Sequence, residues 1–304
     1  MNTSTSSYLQ SFMNGIAESA NTSHISTGFE KLDEVLGGGL YEGLYVVGAI
    51  SSLGKTTLLT QISDHIAQSG QHVLFFSLEM ARSEIMSKSI SRHTLQNVLA
   101  DGGVPRFAKT SRDITTSTRY SSYSSDEIAL IDKSVRSYGQ YAQNIYINEC
   151  VDHIGTQQIR QTVRDHVLYT GKTPVVIIDY LQILAPHTLG ANDKQNMDNT
   201  VMELKRISRD YKTPVIGISS FNRSSYKDAV TMEAFKESGA IEYSSDVLIG
   251  LQFKGSGKKD FDVNNAKRED PREIECVMLK SRNGSIGDII SFDFYPMFNF
   301  FREA

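Results

Sequence analysis

The sequence predicts an α/β protein whose mostly parallel, twisted sheet is flanked by helices. Unbroken apolar runs of strand length recur along the chain, and segments with helical periodicity separate them. Clear examples of these runs are Val73–Phe76, Val175–Ile178 and Val215–Ile218. Such runs are typical of strands that are buried on both faces, and their alternation with helices favours a parallel sheet.

Composition narrows the class of protein. The 304 residues suffice for one large domain or two smaller ones, and 39% hydrophobic and 22% charged residues are ordinary for a globular protein. A net charge of −4 argues against binding nucleic acid through bulk electrostatics. Cys150 and Cys276 fit neither a disulfide framework nor a metal site, and no apolar run is long enough to span a membrane. We therefore expect a soluble, cytoplasmic protein that does not bind a membrane.

Residues 1–24 are rich in serine, threonine and asparagine and carry only a weak helical signal. We interpret them as a flexible N-terminal segment or a linker helix. The folded domain is expected to span residues 25–304.

The first strand of this domain, Leu44–Val47, leads into a loop of small residues and then into a helical pattern. The loop ends in Gly54-Lys55-Thr56, as in the phosphate-binding P-loop, although Ala49 stands where the first glycine belongs and Gly48 lies one residue earlier. Backbone N–H groups in such a loop bind phosphate, the lysine reaches the β- and γ-phosphates, and the threonine holds Mg²⁺. The candidate nucleotide-binding residues are Gly48, Ser51, Ser52, Leu53, Gly54, Lys55, Thr56 and Thr57. The alternative is a loop that contains Gly-Lys-Thr by chance.

A second strand, Val73–Phe76, is followed by Glu79. Open α/β sheets bind ligands at the carboxyl ends of their strands, so this carboxylate is placed to polarise a water that attacks a γ-phosphate. The alternative is a glutamate that stabilises a helix N-terminus.

Asp179 follows the strand Val175–Ile178 in the same way. It resembles a Walker-B aspartate, which completes the coordination of Mg²⁺ together with the P-loop threonine. Thr56 and Asp179 are therefore the predicted metal ligands, and ATP and Mg²⁺ the predicted cofactors.

The remaining segments complete the sheet. Residues 101–124 are polar and are expected to be a surface insertion that is separate from the core. Glu127–Tyr138 and Met197–Tyr211 are predicted helices, the second with Lys205, Arg206 and Arg209 on its solvent side. Asn283-Gly284 is a strong signal for a tight turn, which predicts a C-terminal β-hairpin between residues 274–279 and 286–292.

From about Ile25 onwards the chain resembles the RecA-like motor domain of the DnaB-type replicative helicases. Seven strings in the right order carry this resemblance: Thr27-Gly28-Phe29 with Leu32-Asp33, Gly54-Lys55-Thr56-Thr57, Phe76-Ser77-Leu78-Glu79-Met80, Ile178-Asp179-Tyr180-Leu181-Gln182, Asn222-Arg223-Ser224, Glu237-Ser238-Gly239-Ala240-Ile241-Glu242 with Asp246, and Lys280-Ser281-Arg282-Asn283-Gly284. The resemblance implies a RecA-like P-loop NTPase fold.

The same resemblance assigns catalytic roles. It implies that Glu79 is the catalytic carboxylate, and that Lys280 and Arg282 reach the nucleotide of a neighbouring subunit, with Arg282 as an arginine finger. The family usually places a glutamine that senses the γ-phosphate where this chain has Ser220. Because serine is shorter, its contact with the nucleotide would need a water or be lost.

The resemblance also implies partners, namely single-stranded DNA, further copies of the chain in a hexameric ring, and a primase or a helicase loader. DNA contacts would fall in two channel loops, roughly residues 187–199 and 224–237. Their candidate DNA-binding residues, with the neighbouring Arg223, are Lys194, Arg223, Lys227 and Lys236. The alternative is that these loops are polar and have no role in DNA binding.

These features favour a DNA translocase that is driven by ATP hydrolysis. Two alternatives stay open, a RecA-like recombinase or clock-type regulatory ATPase, and a nucleotide-binding replication scaffold with little unwinding activity. The family's N-terminal primase-interacting domain has no counterpart in this sequence. The chain is then either the motor domain of a longer primase–helicase or a phage, plasmid or mobile-element relative.

Overall fold

The computed structural model describes residues 4–19, 24–149, 154–186, 190, 192–222, 228–235 and 238–304. Within these residues nine strands form one sheet in the order β3-β2-β4-β5-β1-β6-β7-β8-β9. The strands are β1 Gly43–Ala49, β2 Val73–Ser77, β3 Ile145–Glu149, β4 Val175–Asp179, β5 Pro214–Ser220, β6 Val247–Phe253, β7 Arg272–Ser281, β8 Ile289–Tyr295 and β9 Phe300–Glu303.

Strands β1 to β6 pair in parallel, and β7, β8 and β9 are added to one edge as an antiparallel meander. Every residue of β1, β2 and β4 is buried, which explains their unbroken apolar sequences. The predicted α/β fold with a mostly parallel sheet and a C-terminal hairpin is therefore confirmed.

The turn of that hairpin differs from the prediction. Strand β7 ends at Ser281 and β8 begins at Ile289, so the loop 282–288 replaces a tight Asn-Gly turn. Gly284 has a packing role instead, because a Cβ there would lie 2.1 Å from the carbonyl oxygen of Val35. The left-handed glycine of the loop is Gly287, with φ of 88°.

Helices of the described residues flank the sheet: α1 Leu9–Ser19, α2 Glu30–Val35, α3 Lys55–Gln68, α4 Arg82–Ala100, α5 Ser111–Thr115, α6 Ser117–Tyr120, α7 Ser125–Gly139, α8 Thr156–Thr170, α9 Asp193–Tyr211, α10 Ser238–Ser244 and α11 Val263–Ala266. None of these is both long and apolar enough to cross a membrane. Helix α9 begins earlier than predicted because the Asn192 side chain accepts a hydrogen bond of 2.8 Å from the N–H of Gln195. It therefore takes up most of the predicted channel loop 187–199.

Two polar segments have defined structure. Helix α1 leaves Leu9, Phe12 and Met13 exposed. Residues 101–124 form short helices, and their Ala108 and Lys109 are buried, at 6% and 9% exposure. The N–H of Lys109 donates 2.8 Å to Oγ1 of Thr94 on α4, so this part of the predicted surface insertion is attached to the core.

Candidate functional site

The strand register brings the predicted site residues to one rim of the sheet. Ala49 at the end of β1 pairs with Ser220 at the end of β5, and Ser77 at the end of β2 pairs with Asp179 at the end of β4. Glu79 follows β2 by two residues. The carboxyl ends of four neighbouring strands therefore form the floor of the candidate site.

A cavity of about 410 Å³ lies at this rim. Its walls come from the loop after β1, the ends of β2, β4 and β5, helix α4 and the C-terminal strands. The lining residues are Ser51, Ser52, Gly54, Lys55, Thr56, Thr57, Glu79, Met80, Lys88, Asp179, Tyr180, Ile218, Ser220, Arg272, Phe294, Pro296 and Asn299. Most of the predicted nucleotide-binding, catalytic and metal-binding residues thus border one space.

The loop has the backbone expected of a phosphate cradle. Ser52 and Gly54 adopt positive φ values of 66° and 92°, and α3 starts at Lys55, directly after Gly54. The ammonium of Lys55 donates to the carbonyl oxygens of Ala49, at 2.9 Å, and Ile50, at 3.1 Å. Burial lowers the pKa of Lys55 to about 8, although the charges of Asp179 and Glu79 oppose this shift.

The two predicted metal ligands meet each other. The hydroxyl of Thr56 donates 2.7 Å to Oδ2 of Asp179, which is only 3% exposed. Burial raises the pKa of Asp179, and the hydrogen bond from Thr56 opposes that shift. No group of three or more His, Cys, Asp or Glu ligands occurs among the described residues. A hydroxyl and one carboxylate suit Mg²⁺, which takes its other ligands from water and phosphate oxygens.

Two of the candidate nucleotide-binding residues do not line the cavity. Gly48 lies inside β1, where an added Cβ would be 2.3 Å from the Phe235 ring and 2.4 Å from the Phe221 ring. Leu53 is 0% exposed and belongs to the main hydrophobic core. The two rings leave no room for a side chain at position 48, so packing within the core accounts for this glycine.

Three lining residues with charged or amide side chains were missed from the sequence: Lys88, Arg272 and Asn299. Lys88 lies on α4, and burial, the largest cause, lowers its pKa. Arg272 donates 3.2 Å to the carbonyl oxygen of Ser52, while its Nε is buried and lacks a partner among the described residues. Each comes from an element that joins the site only through tertiary packing, so no local motif marks it. The buried face of α4, which holds Ser87, Ser91 and Arg92, is a polar signal that sequence reasoning passed over.

Lys280 and Arg282 lie at the opposite rim. Lys280 and Ser281 pair with the start of β6, whose Val247 pairs with Tyr45 near the start of β1. Lys280 donates 2.6 Å to the carbonyl oxygen of Glu242, and Arg282 contacts Oδ1 of Asp246 at 3.3 Å. The Arg282 side chain remains 71% exposed. Neither cation can therefore reach the cavity of its own chain.

One of the three α9 cations that were predicted to face solvent, Lys205, contacts Asp246. Lys205 was predicted to face solvent, but its ammonium donates 2.8 Å to the carbonyl oxygen of Ser244 and 3.1 Å to Oδ1 of Asp246. Arg206 and Arg209 keep exposed side chains, at 55% and 75%. The Lys205 side chain is itself 40% exposed, so it lies at the solvent-facing side as predicted, but its ammonium pairs with the buried carboxylate of Asp246.

Among the candidate DNA-binding residues, the structure describes Lys194, which is exposed in the first turn of α9. Arg223, Lys227 and Lys236 lie outside the described residues. Beside the second predicted channel loop, the N–H of Asn222 donates 2.8 Å to the carbonyl oxygen of Ala234. This bond joins a residue that precedes the predicted loop to one within it.

A comparison with protein families matches residues 24–303 to the DnaB-like helicase C terminal domain. The chain belongs to this family. The matched residues include those that line the cavity and all strands of the described sheet, β7 among them. The match agrees with the resemblance that the sequence motifs carry.

Individual relatives are distant and longer. The replicative DNA helicase DnaB of Pasteurella multocida is 27% identical over 272 residues, which cover 87% of this chain and 52% of the relative. That of Mycoplasma genitalium is 28% identical over 278 residues, which cover 88% of this chain and 54% of the relative. The chain thus spans about half the length of the curated relatives it matches.

Two solved structures share the fold. One is described as an ATPase domain; it aligns with a TM-score of 0.80 at 21% identity and covers 100% of both chains. The other, a DnaB-like replicative helicase solved in a study of its interactions with primase, aligns with a TM-score of 0.78 at 21% identity and covers 99% of this chain and 67% of that one. At these identities the likeness concerns the fold.

Proposed function

We propose that this DnaB-like domain is an ATP-dependent DNA helicase motor that hydrolyses Mg-ATP between subunits and moves along single-stranded DNA. The observation that carries the proposal is the separation of the two halves of the site. The loop after β1, the proposed phosphate cradle, lies at one rim of the sheet, and Lys280 and Arg282, the proposed finger cations, lie at the other. Catalysis that uses both halves requires two copies of the chain.

In the proposed reaction the loop N–H groups and Lys55 bind the phosphates of ATP. Thr56 and Asp179 would hold Mg²⁺, which supplies neutralisation of charge on the phosphate oxygens when it is bound. Glu79 orients the attacking water toward the γ-phosphate and accepts a proton from that water. Arg282 of a neighbouring copy would stabilise the charge that develops in the transition state, with Lys280 beside it.

The proposed assembly is a closed ring, and six copies are expected from the family resemblance. In the proposed heterologous contact, the rim of one copy that carries Lys280 and Arg282 meets the rim of the next copy that carries the phosphate-binding loop. Repeating this contact generates a ring when the rotation from copy to copy closes. In this ring Lys194, Arg223, Lys227 and Lys236 of successive copies would contact DNA phosphates. Six copies would offer many such contacts although the chain is acidic overall.

A primase or helicase loader is a proposed partner, and the location is proposed to be cytoplasmic. Support for a primase comes from the solved DnaB-like replicative helicase of similar fold, because that study also concerns the interactions of that helicase with primase. The proposal for Ser220 is that its hydroxyl, which borders the cavity, contacts the γ-phosphate through a water.

The ATPase rate with and without single-stranded DNA tests the proposal. We expect DNA to stimulate hydrolysis, and Lys55→Ala, Glu79→Gln and Arg282→Ala each to abolish it. Mixing Lys55→Ala with Arg282→Ala subunits is the sharper experiment. In a mixed ring about a quarter of the interfaces combine an intact Lys55 with an intact Arg282, so activity should return. No recovery in assembled rings would contradict the shared site.

The scaffold alternative has one observation in its favour, the presence of Ser220 at the end of β5. Tight ATP binding without hydrolysis in the wild-type chain, with or without DNA, would support the scaffold instead. A recombinase would form filaments rather than closed rings in electron micrographs.

A further inference from the structure

Asn299 occupies an unusual position beside the candidate nucleotide site. It lies between β8 and β9, has a positive φ of 53° and is 6% exposed, yet it borders the cavity. Asparagine tolerates this left-handed backbone better than most residues, but glycine would do so without side-chain contacts. The side chain is therefore the feature to explain.

The side-chain amide of Asn299 makes contacts in two directions. Its Oδ1 accepts a hydrogen bond of 3.1 Å from the ammonium of Lys88, and its Nδ2 donates 3.0 Å to Oγ of Ser111. The hydroxyl of Thr57, in the first turn of α3, lies 3.5 Å from the same Oδ1. Because an ammonium has no acceptor, the carbonyl end of the amide must face Lys88.

The backbone of Asn299 is held equally firmly. A guanidinium nitrogen of Arg92 donates 2.7 Å to the carbonyl oxygen of Asn299. Arg92 is itself 2% exposed and forms a buried ion pair with Asp64. The amide therefore presents its oxygen to Lys88 from a fixed position.

Lys88 has several charged neighbours. Arg92 and Glu84 share α4 with it, Asp179 faces it from the end of β4, and Lys55 and Glu79 border the same cavity. In the part of the chain that the structure describes, Oδ1 of Asn299 is the only hydrogen-bond acceptor of its ammonium. Without this acceptor, electrostatic attraction would draw the ammonium toward the carboxylate of Asp179, the proposed metal ligand.

We propose that Asn299 is a positioning residue for phosphate binding: its amide oxygen keeps the Lys88 ammonium on the cavity wall, available to nucleotide phosphates and away from Asp179. This inference rests on the proposed function, since it assigns the cavity to a nucleotide. Ser111 contributes by holding the other end of the amide. The segment 101–124 thereby acts on the nucleotide site through one hydrogen bond.

The test is a double-mutant cycle of Asn299→Gly and Lys88→Ala, with the dissociation constant for Mg-ATP measured by calorimetry. Glycine keeps the left-handed backbone and removes the side chain with its amide. Asn299→Gly should weaken binding about tenfold, the expected cost of a hydrogen bond to a charged group. It should have no further effect when Lys88 is already alanine. Lys212→Gly, at another left-handed position on the surface, is the matched control and should bind normally.

A second readout separates positioning from a purely structural role. If Lys88 acts on the β- and γ-phosphates, Asn299→Gly should leave the affinity for AMP unchanged. Multiplicative effects in the cycle, or equal weakening of AMP and ATP, would overturn the inference. The cycle uses binding alone, so it remains valid if the wild-type chain binds ATP without hydrolysing it, which would refute only the motor function.

Discussion

The hydroxyl of Thr56 donates a 2.7 Å hydrogen bond to Oδ2 of Asp179, joining the first turn of the P-loop helix to the end of strand β4. Two oxygens from distant parts of the sequence thus lie next to each other in residues that line the same cavity as Lys55 and Glu79. This contact places the proposed metal ligands side by side without any local motif that connects them.

Asp179→Asn should reduce Mg²⁺-dependent ATP hydrolysis by about 100-fold or more, because an amide oxygen replaces the only carboxylate proposed to hold the metal. Titration of the ATPase rate with Mg²⁺ measures this. Asp210→Asn removes an exposed carboxylate from α9 and serves as the control. Unchanged Mg²⁺ dependence in Asp179→Asn would remove Asp179 from the metal site.

Gly48→Ala should destabilise the fold by roughly 1–3 kcal/mol, because the added methyl group overlaps the rings of Phe221 and Phe235. Urea unfolding measures the change. Gly139→Ala in α7 is the control, since nothing lies within 4 Å of its Cβ position, and it should be neutral or slightly stabilising. A fully stable Gly48→Ala with weak ATP binding would return Gly48 to the nucleotide-binding residues.

The sequence predicted the site best where an apolar run or a loop motif marks the carboxyl end of a strand in the sheet. Buried strands that end at Ala49, Ser77, Asp179 and Ser220 place their following residues at one rim, because parallel strands share a direction. Lys55, Thr56, Glu79 and Asp179 could therefore be identified from apolar runs and one loop motif. Their convergence follows from topology rather than from spacing.

Sequence reasoning failed where packing between distant elements decides the structure. Asn283-Gly284 predicted a tight turn, but Gly284 lies against the carbonyl of Val35, which strand propensity cannot reveal. Lys205 belongs to an exposed pattern and still pairs with Asp246, a buried carboxylate 41 residues away. Lys88 and Asn299 meet because the turn Pro296–Phe298, directly before Asn299, packs against α4.

The buried pair of His72 and His166 should make stability depend on pH. Nδ1 of His72 lies 3.0 Å from Nε2 of His166, and burial lowers both pKa values below the usual 6.5. The unfolded chain therefore takes up protons first as the pH falls below about 6.5, and the free energy of unfolding decreases. Urea unfolding at pH 7.5 and 5.5 should show a larger loss for the wild type than for a His72→Gln/His166→Gln variant. His24→Gln, at an exposed histidine, should behave like the wild type.

Arg272→Ala should raise the KM for ATP several-fold and change kcat little. Its guanidinium borders the cavity, holds the carbonyl oxygen of Ser52 at 3.2 Å and lies 6.0 Å from the centre of the Phe294 ring. A cation that contacts within the protein hold in place acts on the ground state and the transition state alike, so its loss appears in KM. Steady-state kinetics measure both constants. Arg302→Ala is the matched control, because Arg302 contacts a neighbouring ring, Tyr295, but does not line the cavity. Equal effects of the two variants would assign Arg272 to packing of the C-terminal strands rather than to the nucleotide.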